Sequence, residues 1–331
     1  MGETVTPALA AAVTNAGGLG GLGMWGFSAE DAGRRVATFR QQSAGSLNVN
    51  YPLWDHPGDL TDVGMPMRKR LQRLYDEKGL GPLPEPRAIA GLVSADHLAM
   101  LRETRPEVVS FHFGLPGPET VRTIKAAGIF VLSSATTVAE ARKLEAEGAD
   151  AIIAQGTEAG GHRGTFSGVD VTMQPGLFSL LPQIVDAVRV PVIAAGGIAD
   201  GRAIAAAFLL GASGVQVGTA FLRSHESKIH DSHRAALGMA SDSSTVVTSA
   251  ISGRPARFIK NRLIEELSVP GADPLPFPAQ LSLTYPMGSS GDRDFSALFA
   301  SQSAGLAREM SAADLVETLA AEATRRLRAF D

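Results

Sequence analysis

The chain has 331 residues, 44% hydrophobic and 19% charged, a globular composition rather than a disordered one. Thirty Lys and Arg against 34 Asp and Glu give a net charge of −4, so no basic excess draws it to nucleic acid or an anionic membrane. It has no Cys, which excludes disulfide frameworks, Cys-ligated zinc, iron–sulfur clusters and thiol catalysis.

Between Glu3 and Glu30 runs an uncharged stretch of 26 residues. Pro7, Asn15 and a cluster of glycines from Gly17 to Gly26 interrupt it, and each Gly costs a helix about 1 kcal/mol. The stretch therefore reads as a buried helix over 7–16, capped by Thr6, and a short strand over 22–26, not as a membrane span. No Lys or Arg precedes it, so it is a poor signal peptide. Ser28 with Asp31 starts a helix that runs to 42, and SLNVNY (46–51) alternates as a strand. Residues 52–66 read as loop and 68–78 as a charged surface helix. Ser94 caps a helix to 105. Then strands at 106–113, 129–133, 151–154, 190–195 and 215–218 alternate with helices at 119–127, 138–147, 176–188 and 201–210. Short Val- and Ile-rich runs separated by helices predict βα units and a parallel sheet buried on both faces. Beyond Arg223 the pattern is helical and irregular. Five of the 19 prolines fall within 270–295, which predicts an ordered loop over the main body, and a last helix is expected at about 311–330.

This reading contains seven strands, whereas a closed (β/α)8 barrel needs eight. The first helix begins almost at Met1, so the absent strand would precede it. Either the chain starts inside a barrel or the sheet is open and doubly wound.

Three strand ends carry chemistry. The run QGTEAGGHRG (155–164) follows the strand at 151–154, where a barrel holds its active site. Gly160 and Gly161 would let backbone approach a flat ligand, and His162 would stand beside it with a pKa suited to proton transfer or anion binding. Arg163 is open between a substrate-binding cation and a solvated loop charge. The run PVIAAGGIADGRAIAAAFLLGASGVQVGTAF (191–221) holds two glycine-containing strand ends, at Gly196-Gly197 and at Gln216–Thr219. Their backbone N–H groups suit a phosphate, although tight βα turns alone would also explain them. This run is neither a Walker A loop nor a G-x-G-x-x-G fingerprint. Asn48 and Asn50 share one face of their strand. Asn50 is the better placed to hydrogen-bond a cofactor ring, or else bonds backbone. His112, with Ser110 on its side of SFHFG, is a second pocket candidate but reads more simply as a satisfied core His. No metal site is expected, His225, His230 and His233 included.

With these residues, the chain resembles the nitronate monooxygenase (2-nitropropane dioxygenase) family. The likeness rests on QGTEAGGHRG, on PVIAAGGIADGR with its QVGT end, on PALAAAVTNAGGLGGLG, SFHFGLP, SGRPARFIKN and FASQSAGLAR, and so spans nearly the whole chain. The resemblance implies an FMN-dependent α/β TIM (β/α)8-type barrel, here apparently lacking its first strand, with a smaller mainly helical second domain. The expected division is a barrel over 1–222 and a cover over 223–310, with the last helix packed back on the barrel. The resemblance implies His162 as the catalytic residue and Asn50, Gln155, Gly160, Gly161, Gly196, Gly197, Gln216, Gly218 and Thr219 as cofactor-binding. It implies oxidation of alkyl nitronates, propionate 3-nitronate among them, with O2 to a carbonyl compound and nitrite. If neutral nitroalkanes are also substrates, His162 must be the base. Family members usually begin with a strand ending in Ala-Pro-Met, which is absent here. The expectation is a start codon placed inside the gene and weakened FMN binding. A cytoplasmic protein is expected, with no nucleic acid or membrane partner. The rival enzyme is a flavin-dependent enoyl-[acyl-carrier-protein] reductase using a nicotinamide cofactor. The non-catalytic rival is a flavin- or phosphate-binding protein.

Overall fold

The computed structural model describes residues 4–87, 89, 91–168 and 170–328. Seven parallel strands form a curled sheet in chain order. They are β1 (Gly20–Gly23), β2 (Leu47–Pro52), β3 (Val108–His112), β4 (Phe130–Ala135), β5 (Ala151–Gln155), β7 (Val192–Ala195) and β8 (Gly214–Gln216). The dipeptide β6 (Gly161–His162) belongs elsewhere: it pairs antiparallel with β10 (Ala256–Ile259), which pairs with β9 (Thr245–Thr248). The seven expected parallel strands are those observed, and the architecture is a TIM-barrel-like α/β half-barrel. Among the described residues, β1 and β8 are its two edges.

Helices cover the outer face for local reasons. Helix Pro7–Asn15 starts at Pro7, and the Thr6 hydroxyl accepts from the Leu9 N–H, one of the donors a helix start leaves open. Ser28 and Ser94 cap the helices Ala29–Arg40 and Ala95–Thr104 in the same way. In β2 the side chains alternate: Leu47, Val49 and Tyr51 are buried against helices, while Asn48 and Asn50 face the concave side. Helix Gly201–Leu209 packs on the last helix, Ala312–Leu327. A Cβ at Gly201 would lie 2.2 Å from the Glu322 Cβ, and the Gly201 N–H donates to the Glu322 carboxylate at 3.1 Å. Residues 329 and 330, the expected end of that last helix, lie outside the described residues, as do Met1 and Gly2.

Two expectations change. The charged surface helix expected at 68–78 is present as Met65–Glu77 and exposes Lys69, Arg73, Asp76 and Glu77, but it also has a buried face that was not expected. Helix Met65–Glu77 buries Met67, Leu71, Leu74 and Tyr75, an apolar stripe at helical spacing hidden among Arg and Lys. It shares one apolar cluster with Ile251, Phe258, Leu263, Leu275 and Leu283, although it lies in sequence between β2 and β3. The irregular region after Arg223 contains β9 and β10, whose short runs TVVT and ARFI lie among turns. Fully buried Phe and Leu side chains there stabilise by about 1.5–3 kcal/mol each, which binds this second layer to the helix at 65–77.

Candidate active site

The loop after β5 is tied from both sides. The Gln155 side chain donates from Nε2 to the His162 carbonyl at 3.0 Å and accepts the Gly164 N–H at 2.8 Å. His112 Nε2 lies 3.1 Å from the same carbonyl and Nδ1 lies 3.0 Å from Ser134 Oγ. A carbonyl only accepts, so His112 carries its proton on Nε2. Burial pushes the His112 pKa down to about 4; it is neutral and satisfied, the simpler of the two expectations for it. Gly161 has φ +78 and pairs with Arg257, while His162 pairs with Ala256. The loop is thus an edge strand of the small sheet.

These ties place the His162 ring over the C-terminal ends of the parallel strands, against Phe113, Phe277 and Phe299, with centroids 6.1, 5.1 and 5.5 Å away. Nε2 lies 2.9 Å from Ser252 Oγ. The Ser252 hydroxyl has one proton and donates it to the Arg254 carbonyl at 2.9 Å, so it accepts from His162 Nε2–H. Nδ1 keeps its lone pair and has no partner among the described residues. Burial first, then the neighbouring His112 and Arg254, push the His162 pKa down to about 3. The ring is therefore a neutral imidazole with a fixed tautomer.

Arg163 is neither a substrate cation nor a solvated charge. It is 1% exposed. Its guanidinium donates to Gln174 Oε1 at 2.9 Å and to the carbonyls of Gly156 and Gln155 at 2.5 and 2.9 Å. Burial pushes its pKa down to about 10, and its fork of donors closes the loop on itself. Glu158 also serves the loop, since its carboxylate accepts the Leu177 N–H that starts helix Leu177–Val185.

The glycines divide by what surrounds them. A Cβ on Gly160 would lie 2.5 Å from the Ala300 carbonyl carbon and 2.6 Å from Ser301 N, so close backbone packing requires Gly there. Gly196 and Gly197 have φ +113 and +70, and their Cβ positions lie 3.1 Å from Ala159 N and Glu158 Cβ. At Gly218 nothing lies within 4 Å. The Gly197 and Gly218 N–H groups have no backbone partner among the described residues. Thr219 Oγ1 accepts the Ser301 N–H at 3.0 Å. Gln216 is exposed at the end of β8. Asn50 Nδ2 donates to Ser110 Oγ at 2.9 Å and lies 3.3 Å from its carbonyl; Asn48 Oδ1 is buried without a partner among the described residues.

The reading from sequence missed the aromatic wall. Trp25 and Trp54 stack at 4.5 Å, and each lies 5.2 Å from Phe277. Phe113 has φ +73, rare for a bulky residue, and this turn brings its ring to the edge of His162. The FHFG run was the available signal, because a Gly follows an aromatic at a strand end. Residues 25, 54 and 277 gave none, since only the fold brings them together. Among the described residues no group of His, Asp and Glu is arranged to hold a metal, and no helix is long and apolar enough to cross a membrane.

The family model described as nitronate monooxygenase matches residues 1–322. The chain is 42% identical to the nitronate monooxygenase of Pseudomonas aeruginosa, over 96% of this chain and 92% of the relative. It is 40% identical to that of Paraburkholderia phytofirmans, over 97% and 90%. The solved structure of nitroalkane oxidase from Streptomyces ansochromogenes has a TM-score of 0.92 at 37% identity, covering 100% of this chain and 95% of that one. FabK from Thermotoga maritima is more distant, with a TM-score of 0.74 at 31% identity over 100% and 94%.

Proposed function

This chain belongs to the nitronate monooxygenase family of flavin-dependent oxidoreductases, and from that premise we propose that it binds FMN and oxidises alkyl nitronates with O2 to a carbonyl compound and nitrite. The observation that carries the residue-level reading is His162, kept neutral by burial and held in one tautomer by Ser252, with its Nδ1 lone pair free at the strand ends. The open space at Gly218 and the unpartnered N–H groups of Gly197 and Gly218 suit a phosphate. The unpartnered Asn48 Oδ1 and the exposed Gln216 amide suit the polar edge of a flavin ring. Asn50, Gln155, Gly160, Gly161, Gly196 and Thr219 are assigned to the same site, several of them by shaping its walls. We assign residues 1–222 to flavin binding and 223–310 to the cover.

The bound flavin supplies the electron acceptor. A nitronate carbon is already deprotonated, so nitronate oxidation needs no base; the anion beside Nδ1 raises the proton affinity of the ring, and a proton taken up there from water turns His162 into a donor to the nitronate oxygens. The free lone pair also favours a second substrate class, neutral nitroalkanes, whose α-proton Nδ1 is placed to accept. Phe113, Phe277 and Phe299 keep water from this exchange. The greater likeness to the nitroalkane oxidase structure than to FabK weighs against the enoyl reductase.

The test is the visible spectrum of the FMN-loaded protein before and after anaerobic propionate 3-nitronate. Bleached flavin bands and nitrite release in air are expected. His162→Asn should retain the flavin spectrum and lose about 10²-fold or more in turnover, the scale of a positioned acid–base group. Persistent bands in the wild type, or full turnover by His162→Asn, would overturn the reading.

A further inference from the structure

Phe113 stands between two unlike spaces. On one side is His162: the two rings are perpendicular, at 86°, with centroids 6.1 Å apart. On the other is a cavity of about 300 Å³. Of the three phenyl rings against His162, Phe113 is the one that also borders this cavity. Asp55, Lys143, Glu147 and Arg254 border it too, and the first three of these are exposed. A space of this size with four charged side chains around it holds water.

Phe113 is itself 7% exposed, with φ +73. A bulky residue keeps that conformation only where its surroundings enforce it. The turn is held on both sides. The His112 carbonyl accepts the Leu53 N–H at 2.9 Å, and the Gly114 carbonyl accepts the Ser133 hydroxyl at 2.8 Å. The Arg254 guanidinium lies over the Phe113 ring, 3.7 Å from its centroid. Arg254 is itself tied down, since it donates to the Thr165 carbonyl and feels the Glu140 carboxylate. It borders the cavity and so braces the ring from that side.

We propose that Phe113 is a positioning residue for His162, a partition that keeps the water of this cavity off the imidazole. The role given to His162 rests on the nitronate reading above, whereas the partition does not. Burial is the first cause of the lowered His162 pKa of about 3, ahead of His112 on β3 and of Arg254, which precedes β10. Phe277 and Phe299 pack on the same ring without charge. Arg163, on the loop of His162 itself, is turned to the carbonyls of Gln155 and Gly156. Loss of the Phe113 ring would leave these charges tied where they are and admit water, so the proton affinity of His162 should rise.

The test is nitrogen NMR of the histidine rings in isotope-labelled, FMN-loaded protein between pH ~8 and ~5, the range in which an ordinary imidazole titrates. His162 is identified as the signal that His162→Asn lacks. In the wild type the ring should stay neutral, protonated on Nε2 alone, throughout. In Phe113→Gly, where Gly takes positive φ freely, it should titrate with a midpoint above pH ~5, a rise of about 2. Phe113→Asn, also tolerant of positive φ, serves if the first variant does not fold. Phe113→Leu keeps apolar bulk at the partition and should stay close to the wild type. The limb of the kcat/KM profile for propionate 3-nitronate that reports His162 should move with the NMR midpoint. A merely structural role would lower activity and leave both in place. A His162 ring still neutral at pH ~5 in the small variants, or already titrating above pH ~5 in the wild type, would overturn the partition. If the wild type oxidises no nitronate, the functional reading fails, and the histidine titration still decides the partition.

Discussion

Glu140 is the most heavily bonded carboxylate near the site, and its neutralisation gives a calculable loss. It is 1% exposed. One carboxylate oxygen accepts from Thr165 Oγ1, Phe166 N, Ser167 N and Ser167 Oγ at 2.8–3.1 Å, the other from Thr136 N and Oγ1, both at 2.7 Å. Burial alone would raise its pKa; the bonds from Thr136, Phe166 and Ser167 outweigh burial and hold the carboxyl below the ordinary range. In Glu140→Gln the new amide N–H₂ is best placed towards Thr136, whose hydroxyl can turn to accept. The Thr136 N–H then loses its acceptor, at a cost of about 1–3 kcal/mol, and the four bonds on the other oxygen fall from charged to neutral strength. A total near 3–5 kcal/mol follows. With an unfolding entropy of about 2.1 cal/mol/K per residue, the thermal midpoint should fall by about 4–7 °C. Scanning calorimetry at pH 7 checks this, with Glu317→Gln, an exposed position, as the control near zero. The stabilisation is present above the ordinary carboxylate pKa and is lost as pH falls through the depressed one, so the gap between wild type and Glu140→Gln should narrow below pH ~4. A midpoint within 1 °C of wild type at pH 7 would refute the assignment of this carboxylate as the anchor of residues 165–167.

Glycine substitutions separate packing from ligand space. Gly218→Ala meets no atom and should leave the flavin-free thermal midpoint within about 1 °C while weakening FMN binding about tenfold, read by flavin fluorescence titration; unchanged affinity would remove Gly218 from the phosphate site. Gly160→Ala drives a methyl into the backbone at Ala300 and Ser301, an overpacking cost of about 1–3 kcal/mol, and should destabilise the flavin-free protein itself. His112 and His162 are both held well below the ordinary imidazole pKa of 6.5 by burial. The unfolded chain therefore binds protons that the fold rejects, and stability is full above pH ~6.5 and erodes as pH falls towards 4. His112→Asn should flatten the fall in midpoint between pH 7.5 and 5; an unaltered slope would show that His112 does not contribute.

Most of the barrel was legible in the order of residues, because its signals are local. Thr6, Ser28 and Ser94 cap the helices where a capping hydroxyl was read. The parallel strands follow from apolar runs that any one segment displays. His162 stood out because two glycines precede it at a strand end. What escaped depends on partners far apart in the chain. The apolar stripe of helix Met65–Glu77 is satisfied by residues near 251–295. Beta strands β9 and β10 gain their ladder from each other and from Gly161–His162. Arg163 is a buried clasp because three acceptors converge on it, and Arg254 lies over the Phe113 ring because the fold brings the two together. Residue order decided which groups exist and which local conformations they favour. The tertiary structure alone decided which of them lose water, and that loss of water sets the protonation of His162 and the role of Arg163.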